Sequence, residues 1–352
     1  MNRYLLDIKK SIELDTKLDA SKLLNKTILI SGATGLIGSA IVDYLMTLND
    51  TKKLNIKVVA NGFNQENLDS RFKYYYDNSN FTGFVGDVNE EINVKDVDYV
   101  IHCASNANPA RFKSDPVGTL LSNVIGTKNL LDCLNKSDKN NKKFIYISSG
   151  EIYGVQQEEK NELFENDYGY CDILQARSCY PIGKRAGETL CVSYSSQYNL
   201  DCSIVRPCHV YGPTANKSDD RITNAFMRNV IAGNDIVLKS SGKQMRSYCH
   251  VVDCASAIIH ILTSGVNCEA YNISNPDSIV SIRNLSEIIA NKKSKKVLFE
   301  NNSENKDGNF NPMDLAILNS NKLLDLGWKP IFNIEDGISN TIEILEEIIN
   351  DA

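Results

Sequence analysis

Thr27-Ile28-Leu29-Ile30-Ser31-Gly32-Ala33-Thr34-Gly35-Leu36-Ile37-Gly38 is a short β-rich run that ends in a glycine-rich turn, and a helical pattern follows through Leu45. Strand, glycine turn and helix in that order make a phosphate cradle. Gly32 permits the tight turn, Gly35 lets the backbone approach a pyrophosphate, and Gly38 lets helix and strand pack closely. The helix N-terminus adds free N–H groups and a positive dipole end. The plainer reading is a structural turn, but position and flanks both favour a bound dinucleotide. The fold expected from this unit is α/β, a Rossmann-like doubly wound parallel sheet.

Outward from there, Ile56–Ala60 reads as a second strand. Sites selective for NAD commonly end that strand with an acid that holds the ribose. Here Asn61-Gly62-Phe63-Asn64 follows, and no arginine appears before Arg71. NAD is the expected cofactor and NADP is left open, with Asn61 or Asn64 as the ribose partner. Asp87-Val88 follows a third strand as an adenine-contacting turn, against the alternative of an ordinary surface turn. A fourth strand, 97–103, leads to Ala104 at the edge of the nicotinamide ribose. Asn123 is expected to start a helix to about Leu134 and to organise a lysine through backbone or water.

The chemistry concentrates in Ser148–Lys184. Phe144–Ser148 alternates like a buried strand, which sets Ser149 at a strand's C-terminal end, where open parallel sheets bind ligands. Tyr180 and Lys184 are four apart and share a face of any helix they lie on. A lysine ammonium beside a phenol favours the phenolate. With the Ser149 hydroxyl, the pair can move a proton to or from a sugar hydroxyl near neutral pH. On its own, Tyr-x-x-x-Lys is as often a plain surface pair. The charged stretch between Gly154 and Arg177 reads as a lid or substrate loop, with simple disorder as the alternative. In the second half, Arg206–Pro213 breaks out of regular structure. Arg221 and Arg246 are candidates to clamp a second pyrophosphate.

Composition narrows the classes. The chain has 352 residues and a net charge of −6 without long charged blocks, which argues against nucleic-acid binding. Residues 3–24 read as an amphipathic packing helix, not a signal peptide, and no apolar run is long enough to cross a membrane. Ten cysteines without Cys-x-x-Cys pairs suggest reduced thiols and a cytoplasmic setting. Four histidines without metal spacing argue against a metal site.

Taken together, the motifs resemble the extended short-chain dehydrogenase/reductases that act on nucleotide sugars. They are Gly32–Gly38, Gly86–Val88, His102–Ser105, Asn123–Thr127, Ser148–Gly154, Tyr180–Lys184, Arg206–Pro213 and Leu326–Pro330. The resemblance implies a tightly held NAD that accepts a hydride from C4 of the sugar. It implies Tyr180 as base, Lys184 as activator, Ser149 as hydroxyl partner and Asn123 as organiser. It also implies a nucleotide-diphosphate sugar as substrate, with contacts from Glu151, His209, Arg221 and Arg246, and a homodimer built on helices near 117–134 and 180–197. The segments Arg177–Tyr180, Gly183–Arg185 and Glu188-Thr189 look most like UDP-glucuronate decarboxylases, and Glu151 matches theirs. A 4-epimerase or C5 epimerase follows, then a 4,6-dehydratase or a net C4 dehydrogenase or reductase. Three positions depart from the pattern. Gly150 stands where dehydratases carry Asp and decarboxylases Ser, His209 where the family usually has Asn, and Phe112 where decarboxylases have Tyr; Arg111 beside it is a cation for a sugar carboxylate. Rival readings are a silent cofactor-sensing protein, which the presence of both Tyr180 and Lys184 disfavours, and a small-molecule alcohol dehydrogenase, which the second half disfavours.

The domain expectation is a cofactor domain over 1–205 with a return at about 245–265, and a smaller substrate domain over 206–352.

Overall fold

A computed structural model describes residues 3–216, 219–300 and 315–350. The polar loop expected at 301–311 lies outside the described residues.

The first half alternates strand and helix: α1 (Arg3–Leu14), β1 (Thr27–Ser31), α2 (Leu36–Lys52), β2 (Lys57–Gly62), α3 (Gln65–Phe72), β3 (Phe81–Val85), β4 (Tyr99–His102), α4 (Pro109–Ser114), α5 (Pro116–Lys136), β5 (Lys143–Ile147), α6 (Cys179–Tyr198) and β6 (Asp201–Pro207). The second half adds β7 (His209–Tyr211), α7 (Ile222–Ile231), β8 (Ile236–Leu238), β9 (Met245–His250), α8 (Val251–Ser264), β10 (Ala270–Ile273), β11 (Ile279–Ser281), α9 (Ile282–Lys292), β12 (Val297–Phe299), α10 (Asn321–Asp325) and α11 (Ile334–Asn350).

Seven strands form one sheet in the order β10-β6-β5-β4-β1-β2-β3, and every pairing in it is parallel. Strands buried on both faces need covers on both. The central strands are almost fully buried, as their apolar runs require. On one face α2 and α8 pack together, with α1 laid across them. On the other, α5 packs along α6 over a separate core that includes Leu130, Phe144 and Cys191. The order reverses between β1 and β4, and a crevice outside the strand ends opens at that point.

The chain comes back to this sheet with α8, which packs on its face against α2, and β10 then joins the edge as a parallel neighbour of β6. Around the remaining elements, β11-β9-β7 make a small sheet and β12-β8 a ribbon. A third core of Phe226, Met227, Leu285 and Ile338 lies among α7, α9 and α11. The break expected after Arg206 is wrong for His209–Tyr211. These residues pair with Tyr248–His250, a long-range partner with no local signature.

Trp328 is buried on α8, where its indole N–H donates to Ser256 Oγ at 2.8 Å. Asp253, on the same helix, accepts the backbone N–H groups of Ile331 and Phe332. All ten cysteines are free thiols. No helix among the described residues is long and apolar enough to cross a membrane.

Candidate active site

Gly32 has φ of +62°, and a Cβ there would come within 2.6 Å of the Ala104 backbone. The glycine turn and the loop after β4 therefore touch, which puts Ala104 beside the cradle as expected. A Cβ on Gly38 would run into the Gly32 carbonyl, so α2 can start this close only from glycine. Gly35 caps α2, and space lies open on its outer side. Thr34, Gly35 and Ile37 are half-exposed toward the crevice and Leu36 is buried. Thr214 Oγ1 donates to the Leu36 carbonyl at 2.8 Å, so the second half closes onto the turn. The Ala33 and Gly35 N–H groups brace the turn on the Asn61 and Gly32 carbonyls, and the first N–H groups of α2, which have no acceptor within the helix, fit a dinucleotide phosphate.

The expected ribose partners are otherwise engaged. Asn61 is buried, and its amide donates to the Gly86 carbonyl at 3.0 Å. Asn64 caps α3 by accepting the Asn67 N–H. Asp87 is exposed and its carboxylate accepts the Asn89 N–H. Val88 is buried against Gly126 of α5, so its side chain supports the turn from below.

Asn123 does not begin a helix. Helix α5 starts at Pro116, with Asp115 capping Gly118 N–H at 3.0 Å. Asn123 therefore lies mid-helix, fully buried, where it donates to the Thr119 carbonyl at 2.7 Å and packs on Gly183.

Ser149 lies just past β5, as its sequence position required. Its Oγ accepts the Glu151 N–H at 3.1 Å. The Ser149 hydroxyl proton is not used in that bond, and the hydroxyl is close enough to the Tyr180 phenol to favour its phenolate. Tyr180 is 6% exposed, in the first turn of α6. Lys184, one turn on, is 3% exposed, and its ammonium donates to the Ile147 carbonyl at 2.7 Å. Burial lowers Lys184 to about 7.

The expectation that Lys184 depresses the phenol fails in the protein alone. Tyr180 is pushed up to about 12, first by burial and then by the Glu151 charge, against the Ser149 hydroxyl, Arg221 and Arg177. Desolvating a phenolate outweighs an ammonium that is itself spent on a carbonyl.

Several contacts around this pair were not read from the sequence. Arg177 donates from Nη2 to both Glu151 oxygens at 3.0 and 2.9 Å. Its guanidinium lies 4.6 Å from the Phe112 ring centroid, and Phe112 stacks on Tyr180 at 4.5 Å and 18°. Arg111, the expected cation, is exposed on α4. Beneath the site, buried Arg206 forks onto Glu188 at 2.9 and 2.7 Å, and Ser148 donates to the same carboxylate at 2.5 Å.

The loop 154–177 is ordered and strapped down. Val155 and Tyr170 exchange backbone bonds, Arg206 holds the Glu165 carbonyl, and Asn272 N–H donates to the Glu165 carboxylate. Ile173 and Leu174 are the most exposed of its large apolar side chains.

His209 lies within electrostatic reach of Arg246 and Arg221. His209 is registered with Tyr248 on the small sheet, and Arg246, two residues before Tyr248, shares that face. The Nδ1 of His209 is buried without a partner among the described residues. Burial, then Arg246 and Arg221, lowers its pKa to about 4. The Arg221 guanidinium is forked onto Asp219 through Nε and Nη2. No cluster of metal-ligating side chains occurs among the described residues.

The model of the NAD dependent epimerase/dehydratase family matches residues 28–274. UDP-glucuronic acid decarboxylase 3 of Arabidopsis thaliana is 32% identical over 260 residues, 73% of this chain and 72% of that one. UDP-glucuronic acid decarboxylase 1 of Xenopus tropicalis is 28% identical over 319 residues, 90% of this chain and 71% of that one. The UDP-glucose 4-epimerase structure from Thermotoga maritima superposes with a TM-score of 0.76 at 22% identity, covering 92% of this chain and 99% of that one. With the glycine cradle at the sheet's switch point and this match over most of the chain, the protein belongs to the NAD dependent epimerase/dehydratase family and is an enzyme that uses NAD.

Proposed function

We propose that the protein modifies a nucleotide-diphosphate sugar, beginning with oxidation at C4, and that UDP-glucuronate decarboxylation is its reaction. The observation that carries this is the buried Tyr180–Lys184 pair on one face of α6, with Ser149 and Glu151 beside it at the end of β5 and the glycine cradle across the crevice. NAD held on Gly32–Gly38 supplies a hydride acceptor. As the phenolate, Tyr180 would take the C4 hydroxyl proton and Ser149 would donate to the same oxygen, while Lys184, turned from the Ile147 carbonyl, would stabilise that phenolate. A C4 ketone makes a C5 carboxylate a leaving group as carbon dioxide, or the C5 hydrogen acidic. His209, Arg221 and Arg246 would receive the diphosphate. In this reading the first half with its return to β10 holds the cofactor, and the rest holds the sugar nucleotide.

Classical 4,6-dehydration fits less well. A Cβ at Gly150 would point at Leu318, 3.2 Å away, and at the Pro207 carbonyl, so an acid there would be sent away from Tyr180. A homodimer through α5 and α6 accords with Val117, Leu121 and Val192, which are exposed on those helices. Sedimentation at micromolar concentration tests it: a monomer would refute it.

The deciding measurement is mass spectrometry after incubation with UDP-glucuronate and a panel of UDP-, GDP-, CDP- and dTDP-sugars, with and without NAD. Loss of carbon dioxide from UDP-glucuronate is expected. Solvent deuterium at unchanged mass would replace decarboxylation by epimerisation, and turnover of no sugar would overturn the reading.

A further inference from the structure

We propose that Arg177 is a positioning residue of this site, holding the Glu151 carboxylate ionised beside Tyr180 so that Glu151 meets the sugar as a hydrogen-bond acceptor. The inference rests on the nucleotide-sugar reading for its substrate, but its geometry stands in the protein alone.

Three elements converge on the guanidinium. It is carried by the turn Ala176–Ser178, just ahead of α6, and it chelates a carboxylate carried by the turn Gly150–Tyr153 after β5. Its flat face lies on Phe112 of α4, whose ring in turn stacks on Tyr180. Arg177, Phe112 and Tyr180 thus form one continuous column. A planar, delocalised cation suits both contacts at once; a lysine point charge suits neither.

Both turns are themselves anchored. Arg185 donates from Nε to the Ile152 carbonyl and from Nη2 to the Gly169 carbonyl, each at 2.8 Å, which fixes the turn bearing Glu151. Ser178 Oγ donates to the Asp172 carbonyl at 2.5 Å, which fixes the turn bearing Arg177. The carboxylate cannot follow a lost partner far.

Electrostatics point the same way. Burial raises Glu151 above the ordinary glutamate value, and Arg177 is the cation that pulls it back, by charge and by hydrogen bond. From α6, the Tyr180 phenol and the Cys179 thiol also feel the Glu151 charge. Arg221, ahead of α7, acts on Tyr180. With Arg177 gone, a buried carboxylate would face a phenol and a thiol without compensation, and protonation is its way out. A protonated Glu151 would present a donor where a sugar hydroxyl meets an acceptor.

The test titrates Glu151 directly, by NMR of protein carrying 13C-carboxyl glutamate, with E151Q to assign the signal. Wild type, R177K and R177Q are compared without substrate. The Glu151 midpoint is expected to rise by about one unit or more in R177Q, with R177K between it and wild type. The acid limb of the kcat–pH profile should move up in the same order while KM changes little, a displacement that loss of packing alone would not produce. A midpoint in R177K or R177Q equal to that of wild type overturns the proposal, and R177K, which keeps the charge, decides the matter if R177Q does not fold. Because the titration needs no sugar, a failure to turn over any nucleotide sugar would sink the function reading and leave this measurement intact.

Discussion

The Lys184 ammonium donates to the Ile147 carbonyl at 2.7 Å and lies 5.8 Å from the centre of the Tyr180 ring. The lysine is thus parked on the strand end instead of on the phenol, and burial lowers it to about 7. Its unfolded value is 10.5. Between those two values the unfolded chain holds a proton that the folded chain has released, so this group makes stability rise with pH. Denaturant melts of the cofactor-free protein should show wild type gaining on K184M from pH 7 to pH 10. Parallel curves would mean that Lys184 is not desolvated as described.

Tyr180→Phe keeps the ring and its stack on Phe112 but removes the proton acceptor. Turnover should fall by about 100-fold or more, while NAD binding followed by protein fluorescence stays close to wild type. Normal turnover would remove Tyr180 from the chemistry.

His209 carries a buried nitrogen without a described partner and faces two arginines, which together with burial hold it neutral, at about 4. A diphosphate bound there would offset the arginine charge and let His209 take up a proton. Calorimetry of UDP binding at pH 6, run in two buffers of different ionisation enthalpy, should report uptake in wild type and less in H209N. Equal proton counts in the two proteins would exclude this role.

His260 is fully buried, with one ring nitrogen 3.2 Å from Asp15 Oδ2 and the other 3.1 Å from the Leu326 carbonyl. Burial works against its charge, but Asp15 and the carbonyl together raise it above the ordinary histidine value. A raised folded value means the stabilisation is complete below about 6.5 and is lost as pH climbs through the folded value. The melting temperature of wild type relative to H260Q should therefore shrink from pH 6 to pH 9. A constant gap would refute the charged form.

Arg206 is 2% exposed and is held by Glu188, the Tyr153 hydroxyl and the Glu165 carbonyl. Removing it leaves Glu188 buried with only Ser148 as a polar partner from this network. R206M should lose about 3–5 kcal/mol in urea melts. R206M/E188L should recover part of that loss. A single variant within about 1 kcal/mol of wild type would show that the fork is dispensable.

How far the chain could be read unaided follows from where each signal resides. Thr27–Ser31 is both the expected and the observed first strand, because a β-rich run stopped by glycines is written in neighbouring residues. The cradle and the Tyr180–Lys184 spacing are local in the same sense. The start of α5 was misjudged by attending to Asn123 when Asp115-Pro116 already marked a cap and a first turn. The strand at His209–Tyr211 had no such mark, since three residues become a strand only by pairing with a segment nearly forty residues away.

The sequence by itself determined the doubly wound sheet, the glycine turn ahead of α2, and the placing of Tyr180 and Lys184 on one helical face, because glycine spacing and helical periodicity act over a few residues. Only the tertiary structure decided what those groups feel. Arg177 came to Glu151, Phe112 to Tyr180, and Glu188 to Arg206 and Ser148 through packing between separate elements. The phenol rose instead of falling for the same reason: desolvation depends on everything folded around a group, and no stretch of sequence carries it alone.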